Sequence, residues 1–201
     1  MADIETIHKP KLLVVEGRDE RNFFTALLAH LQLMDIQVMD IGGKSQIPAK
    51  LKALMKMPDF HNVASLGITR DADENPAGAF QSICDALKEA MLPVPKTQIS
   101  FTRGRPRIGV MILPKPGTKG MLEDVCISSA RDTPEMGCVK IYLDCVKKKT
   151  MTLPVNLSKA KMYAFLAAKD PGLRLGEAAQ KGIWQWDNKA FKQIRVFLKL
   201  L

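Results

Sequence analysis

The chain has 201 residues, 46% of them hydrophobic and 25% charged, with a formal net charge of +9 and a pI near 9.4. That is enough apolar material for a sizeable core, and it excludes a disordered tail or a small disulfide-stapled peptide. The charge is unevenly spread: residues 1–95 hold 10 basic and 13 acidic side chains, and residues 96–201 hold 20 and 8. A basic half suits a polyanion, and an acidic half beside it calls for a reason, of which a bound metal is one.

No apolar run approaches the ~20 residues of a membrane-spanning helix. The opening MADIETIHKPK lacks the apolar core of a secretory signal, so a cytoplasmic protein is expected. Cys84, Cys126, Cys138 and Cys145 form no C-x-x-C pair, and His8, His30 and His61 sit at no zinc spacing. Free, buried thiols are expected, and any metal is a hard cation held by carboxylates.

In chain order, Lys11–Val15 is a short apolar run with β-branched members and reads as a buried strand. It ends at Glu16-Gly17, and Phe23, Phe24, Leu27, Leu28 and Leu31 then recur at helical spacing behind Asp19 and Glu20, acids that suit a helix N-terminus. Ile36–Ile41 alternates as a second strand. Gly42-Gly43 turns the chain, and Ser45 is placed to cap a helix to about Met57, with Pro48 near its start. Val63–Thr69 predicts a third strand, closed by Arg70–Pro76, and Ala77–Met91 a helix; Arg107–Leu113 predicts a fourth strand, followed by a loop rich in Pro and Gly. Pro134–Lys149, Leu157–Lys169 and Asn188–Leu200 read as helices. Alternating strands and helices predict an α/β fold, a mainly parallel four-stranded sheet with helices on both faces. A single domain over 1–201 is expected, with a core over 1–130 and a helical extension over 131–201 packed on it.

In such a sheet ligands bind outside the carboxyl ends of the strands. The first strand ends on Glu16, the third on Asp71 and Asp73, and the loop after the fourth supplies Glu123 and Asp124; Glu20 can turn back from the first helical turn. Like charges gathered this way repel unless a cation neutralises them, and Mg²⁺ or Mn²⁺, one or two ions, is the simplest candidate. An extended D-x-D segment points Asp71 and Asp73 the same way. Gly17 leaves room for a phosphate or water beside the backbone. The competing reading of each single acid is a helix cap or a solvated loop residue.

The run Leu12-Leu-Val-Val-Glu-Gly through Glu20, the strand ending Arg70-Asp-Ala-Asp73, and Gly120-Met-Leu-Glu-Asp124 together resemble the toprim fold of topoisomerases, bacterial primases and OLD-type nucleases. The chain is most like small, free-standing toprim-like proteins of uncharacterised function related to OLD nucleases. That likeness extends to Asp40–Lys44, Asp73–Pro76, Lys159–Leu166 and Leu175–Ala178. The resemblance implies Mg²⁺-dependent phosphodiester hydrolysis on DNA or RNA, with Glu16, Asp71 and Asp73 central and Glu20, Glu123 and Asp124 completing the metal set. It also offers Lys159 or Lys161 as the lysine that offsets phosphate charge in the nuclease relatives; both also suit a solvated helix face. Arg103, Arg105, Arg107, Lys115 and Lys119 flank the acidic segments in sequence and are expected to bind nucleic-acid backbone.

Only Tyr142 and Tyr163 are available as tyrosines, which argues against a strand-passing topoisomerase. OLD nucleases usually have an ATPase attached, and this chain has no G-x-x-x-x-G-K-[ST] loop, so regulation by an ATPase, if any, must come from another chain. Two other readings compete: a toprim-like module that binds nucleic acid or protein without cleaving, and a receiver-like phosphoacceptor, whose acid pattern fits less well. Lys147–Lys149 reads as a solvated helix end, and Trp184 and Trp186 as anchors of the last helix. Arg18 and Arg21 are open between phosphate contact and local ion pairing.

Overall fold

The computed structural model describes residues 6–43 and 46–201. Four strands, β1 (Lys11–Val15), β2 (Ile36–Asp40), β3 (Ser65–Asp71) and β4 (Arg107–Leu113), form one sheet in the order β2-β1-β3-β4, and every neighbouring pair is parallel. The crossovers are α1 (Arg18–His30), α2 (Ile47–Met55) and α3 (Pro76–Glu89). After β4 come α4 (Leu122–Ser129), α5 (Pro134–Thr150), α6 (Leu157–Ala167), α7 (Leu175–Gln180) and α8 (Lys192–Leu200).

Strand alternation sorts the core into two layers. Leu12 and Val14 of β1, Leu66 and Ile68 of β3, and Ile108, Val110 and Ile112 of β4 face α2 and α3. Leu13, Val15, Val38, Met111 and Leu113 face the opposite layer, where α1 and α4 to α8 share one apolar cluster. The C-terminal helices are therefore built into the sheet's own core. Gly67 makes room for this: a Cβ there would lie 3.1 Å from the Leu201 side chain, so the last residue of the chain rests on the middle of the sheet. Trp184 stacks on Phe165, and Trp186 meets Phe23 edge-on at 5.2 Å. Both indoles are buried, which bears out their reading as anchors.

The structure corrects several local expectations. β3 runs on to Asp71, because Arg70 and Asp71 continue the ladder opposite Ile112 and Leu113; a polar strand end in a buried sheet carries no apolar signal. Glu123 and Asp124 lie in the first turn of α4, not in a loop. α7, only six residues long, falls below the length at which periodicity is readable. The last predicted helix begins as a 3-10 turn over Lys189–Phe191 before α8. Cys84 and Cys126 are buried, but Cys138 and Cys145 are exposed on the outer face of α5 beside the exposed Ile141 and Tyr142. The proposed Ser45 cap and Lys44 lie outside the described residues. Among the described residues no helix is long and apolar enough to cross a membrane.

The contact between α1 and α7 is tight enough to test. A Cβ on Gly176 would come within 2.6 Å of the Asp19 carbonyl oxygen and of Asn22 Cβ. Gly176→Ala should therefore force the helices apart and lower stability by about 1–3 kcal/mol. Gly137→Ala, on the exposed face of α5 with open space around it, should raise stability by about 0.5–1 kcal/mol. Thermal unfolding followed by circular dichroism checks both, with about 2–4 °C in Tm for each kcal/mol.

Candidate metal centre

Chain direction in the sheet reverses between β1 and β3: from β1 the chain passes outward to β2, and from β3 outward to β4. The crevice at the carboxyl ends of these two strands is where an open parallel sheet offers a ligand site. Glu16 follows β1 and Asp71 ends β3, and the Asp71 N–H donates to Glu16 Oε1 at 3.3 Å. α4 starts over the same crevice, and the Leu122 N–H donates to Asp71 Oδ1 at 3.0 Å. The two connections are also joined through the backbone: the Asp73 N–H donates to the Gly120 carbonyl at 2.9 Å, and the Gly120 N–H to the Asp73 carbonyl at 2.8 Å. Only glycine suits position 120. Its φ is +122°, and a Cβ there would sit 2.5 Å from Asp124 Oδ2.

This architecture gathers four of the expected acids. Glu20 folds back so that its Oε2 lies over Gly17, 3.2 Å from where a Cβ would be. The space the glycine leaves is thus taken by a carboxylate. Burial raises the Asp71 carboxyl well above its ordinary range, and the charges of Glu16, Glu123 and Glu20 push it the same way against the opposing Leu122 N–H. Burial is also the leading cause of the raised values of Glu16, Glu20 and Glu123, with Glu20 reinforcing the shift at both Glu16 and Glu123. Each of the four is made costly as an anion by its neighbours.

The remaining predicted residues are placed differently. Asp124 is committed to the fold: its Oδ2 accepts the Met121 N–H at 2.9 Å and its Oδ1 the Ser158 hydroxyl at 2.5 Å. Asp73 has φ +49°, so the segment is not the extended D-x-D expected. The bridge to Gly120 turns it into a bend, and its charge reaches Glu16 more weakly than that of Glu20 does. Lys159 Nζ lies 3.8 Å from Glu123 Oε1, whereas Lys161, two residues on, lines a separate cavity with Met136 and Lys140; helical phase separates the two lysines. Arg103, Arg105 and Arg107 are at the wrong edge for a shared site. Arg107 opens β4, so the strand's seven residues put the group about 20 Å from the carboxyl end. Arg105 donates to the Asn62 carbonyl at 3.3 Å, and Arg107 lies over the Phe101 ring at 5.2 Å. Lys119 pairs with Glu74 at 2.9 Å.

Sequence reasoning overlooked two cations, Arg70 and Arg174, and left Arg18 open between phosphate contact and local ion pairing. Arg70 Nε is 3.7 Å from Glu16 Oε1, and its Nε and Nη1 are buried without hydrogen-bond partners. It stands in the quoted Arg70–Asp73 run, where its place just before an acid was the available signal. Arg18 and Arg174 line, with Glu20, Glu123 and Lys159, a polar cleft of about 510 Å³ in front of the carboxylates. Arg174 gives no signal in the sequence, since only the packing of α7 on α1 brings it there. Arg21 pairs with Asp40 at 3.7 Å, which leaves Arg18 as the member of that pair that faces the cleft.

The donor set is all carboxylate oxygen, which suits a hard divalent cation. The electrostatic strain on the four acids is of the kind such an ion relieves. Among the described residues, however, no group of three Asp, Glu, His or Cys side chains is gathered closely enough to hold an ion as it stands.

A parallel α/β sheet with half-buried acids at its switch point describes the class, and the sequence specifies it further. The chain belongs to the family described as a protein of unknown function, DUF3226, whose model matches residues 10–201. Comparison with curated proteins returns no match. Among solved structures the chain is similar to the C-terminal region of the OLD protein of Xanthomonas campestris pv. campestris, at 13% identity and a TM-score of 0.39 over 97% of this chain and 87% of that one. It is also similar to the C-terminal region of the Burkholderia pseudomallei OLD protein, at 12% identity and a TM-score of 0.41 over 96% of this chain and 89% of that one. At these values the likeness transfers no residue role.

The crowding of acids predicts an unusual stability effect. Asp71→Asn keeps an oxygen for the Leu122 N–H and removes one of four repelling charges. In EDTA at neutral pH it should melt a few degrees above wild type, about 2–4 °C for each kcal/mol relieved. Differential scanning calorimetry decides; a lower Tm than wild type contradicts the mutual repulsion.

Proposed function

We propose that the protein is a toprim-type, metal-dependent nuclease that hydrolyses phosphodiester bonds in DNA or RNA. The observation that carries this reading is the set of four half-buried carboxylates at the sheet's switch point, two of which, Glu20 and Glu123, line a cleft that also presents Arg18, Lys159 and Arg174. The toprim resemblance of the Glu16, Asp71 and Glu123 segments supports it. Glu16, Asp71 and Glu123 would hold Mg²⁺ or Mn²⁺ with Glu20, and Asp73 would complete the set from its bend. When bound, the ion supplies Lewis-acid polarisation of the phosphodiester and a lowered pKa for the attacking water.

The chain's own residues divide the other tasks. Arg70 favours the ionised form of Glu16 against burial. Lys159, Arg18 and Arg174 face the same cleft and hold the scissile phosphate against the carboxylates, with Lys159 the nearest of the three to Glu123. Leu122 N–H keeps Asp71 Oδ1 directed toward α4, which leaves its other oxygen for a cation.

Purified full-length protein with Mn²⁺ or Mg²⁺ should cleave DNA or RNA. Glu16→Gln should reduce the rate at least about 100-fold, more than the loss usual for groups that only orient a metal ligand. Retained activity in that variant overturns the assignment. Arg18→Ala combined with Arg174→Ala should raise KM about 10-fold or more with a smaller change in kcat, the pattern of lost substrate binding. Steady-state cleavage of a labelled oligonucleotide measures both quantities.

One observation favours a second reading, a toprim-like module that binds without cutting: the acids of the described residues are not closed around an ion-sized space. Calorimetric titration of Mn²⁺ separates the two, because a module without a metal centre takes up no Mn²⁺ that Glu16→Gln or Asp71→Asn abolishes.

A further inference from the structure

The first turn of α4 is a ridge with a cleft on either side. Glu123 faces the carboxylate cleft, and Asp124 lines a second, larger cleft of about 720 Å³. Lys115, Arg131 and Lys189 line this second cleft, and none of the three has an ion-pair partner among the described residues. Two acids are present and do not pair with them. Asp124 is engaged by Met121 and Ser158, and Asp132 makes no ion pair with either Arg131 or Lys189. The cleft is therefore cationic as it stands, on a chain whose other surface lysines are in several cases already paired.

The backbone that carries these cations is fixed. Lys189 opens a 3-10 turn whose preceding residue, Asn188, accepts the Ala190 N–H at 2.9 Å and donates to the Ser129 carbonyl at 3.1 Å. The Asn188 carbonyl in turn accepts from Arg195 at 3.1 Å, and Phe191 below it is fully buried. Arg131 follows α4 directly, after a C-cap in which the Ala130 N–H returns to Cys126 and Ile127. Lys115 sits in a turn closed by the Thr118 N–H at 3.1 Å. Three cations from three distant parts of the chain thus face one trough, at positions that binding need not order.

We propose that this trough is a phosphate track for the sugar–phosphate backbone of a nucleic acid, with Arg131, Lys189 and Lys115 as its contacts. A strand lying in it crosses the first turn of α4 and enters the carboxylate cleft at Glu123. The inference rests on the nuclease reading for the identity of the polyanion, and it places substrate on a face that the Arg103–Arg107 segment does not share. Contacts of this kind confer affinity without sequence choice.

The test uses the full chain in EDTA, so that binding is read without cleavage, by fluorescence anisotropy of a labelled single-stranded oligonucleotide across a salt series. Arg131→Ala combined with Lys189→Ala should weaken binding about 10-fold or more and flatten the salt dependence by about 0.7 per lost phosphate contact. Arg103→Ala combined with Arg105→Ala, at the opposite edge, should bind as wild type does. Equal affinity of the trough variant and wild type overturns the track, as does an equal loss in the opposite-edge variant.

Hydrolysis of bis-p-nitrophenyl phosphate in Mn²⁺, a diester too small to reach the trough, keeps the two readings apart. It should be unchanged in the trough variant, and its loss there overturns the track by showing damage to the site itself. Wild type that hydrolyses this diester but binds no oligonucleotide also overturns the track and leaves the nuclease reading standing. Oligonucleotide binding that needs Arg131 and Lys189, without hydrolysis of either substrate, supports the track and removes the nuclease reading.

Discussion

Everything at the functional edge of this protein depends on keeping four carboxylates close together in a partly buried crevice, an arrangement that electrostatics opposes. Burial raises the cost of ionising Glu16, Glu20, Asp71 and Glu123; Glu20 adds to it at Glu16, Asp71 and Glu123, and Glu16 and Glu123 add to it at Asp71. The fold holds them with backbone. Asp71 donates its own N–H to Glu16 and accepts that of Leu122, while the paired strands and the Asp73–Gly120 bridge prevent the two loops from drifting apart. Arg70 and Lys159 offset part of the repulsion from either side. A cluster kept at such a cost does not serve stability, since a set of solvated acids would serve the fold better.

α4 has two roles in this arrangement. Its first turn ends the crevice, placing Glu123 beside Asp71, and its body separates the acidic cleft from the cationic one. Asp124, which the residue pattern grouped with the metal ligands, is what makes that position firm. It caps the Met121 N–H and receives the Ser158 hydroxyl, which ties α4 to α6, the helices that carry Glu123 and Lys159. Adjacent acids thus divide between crevice and scaffold according to which way one helical turn directs them.

The dense apolar layer behind α1 ties the C-terminal helices to the two clefts. α7 packs on α1 closely enough to require glycine at 176, and that contact brings Arg174 in front of Glu20. The buried Trp184 and Trp186 and the fully buried Phe191 fix the segment that presents Lys189. Helices that read in sequence as an extension supply cations to both clefts.

The strand–turn–helix order, the acidic strand ends and the limits of β1 and β4 were legible in the sequence, because buried parallel strands are short apolar runs and their ends change abruptly in character. Less legible were the polar end of β3, the eight-residue α4 and the six-residue α7, where local pattern is too short or too polar to register. Composition and spacing determined where the charges fall along the chain: an ordered set of acids in the first two-thirds and an excess of cations in the second half. Tertiary structure decided which of them meet. Phase along α6 selected Lys159 over Lys161, the direction of β4 sent Arg103, Arg105 and Arg107 to the far edge, and packing drew Arg18, Arg174, Arg131 and Lys189 from separate segments to the working one. Proximity in sequence says little about proximity across a sheet, because a strand of seven residues carries its two ends to opposite faces of the molecule.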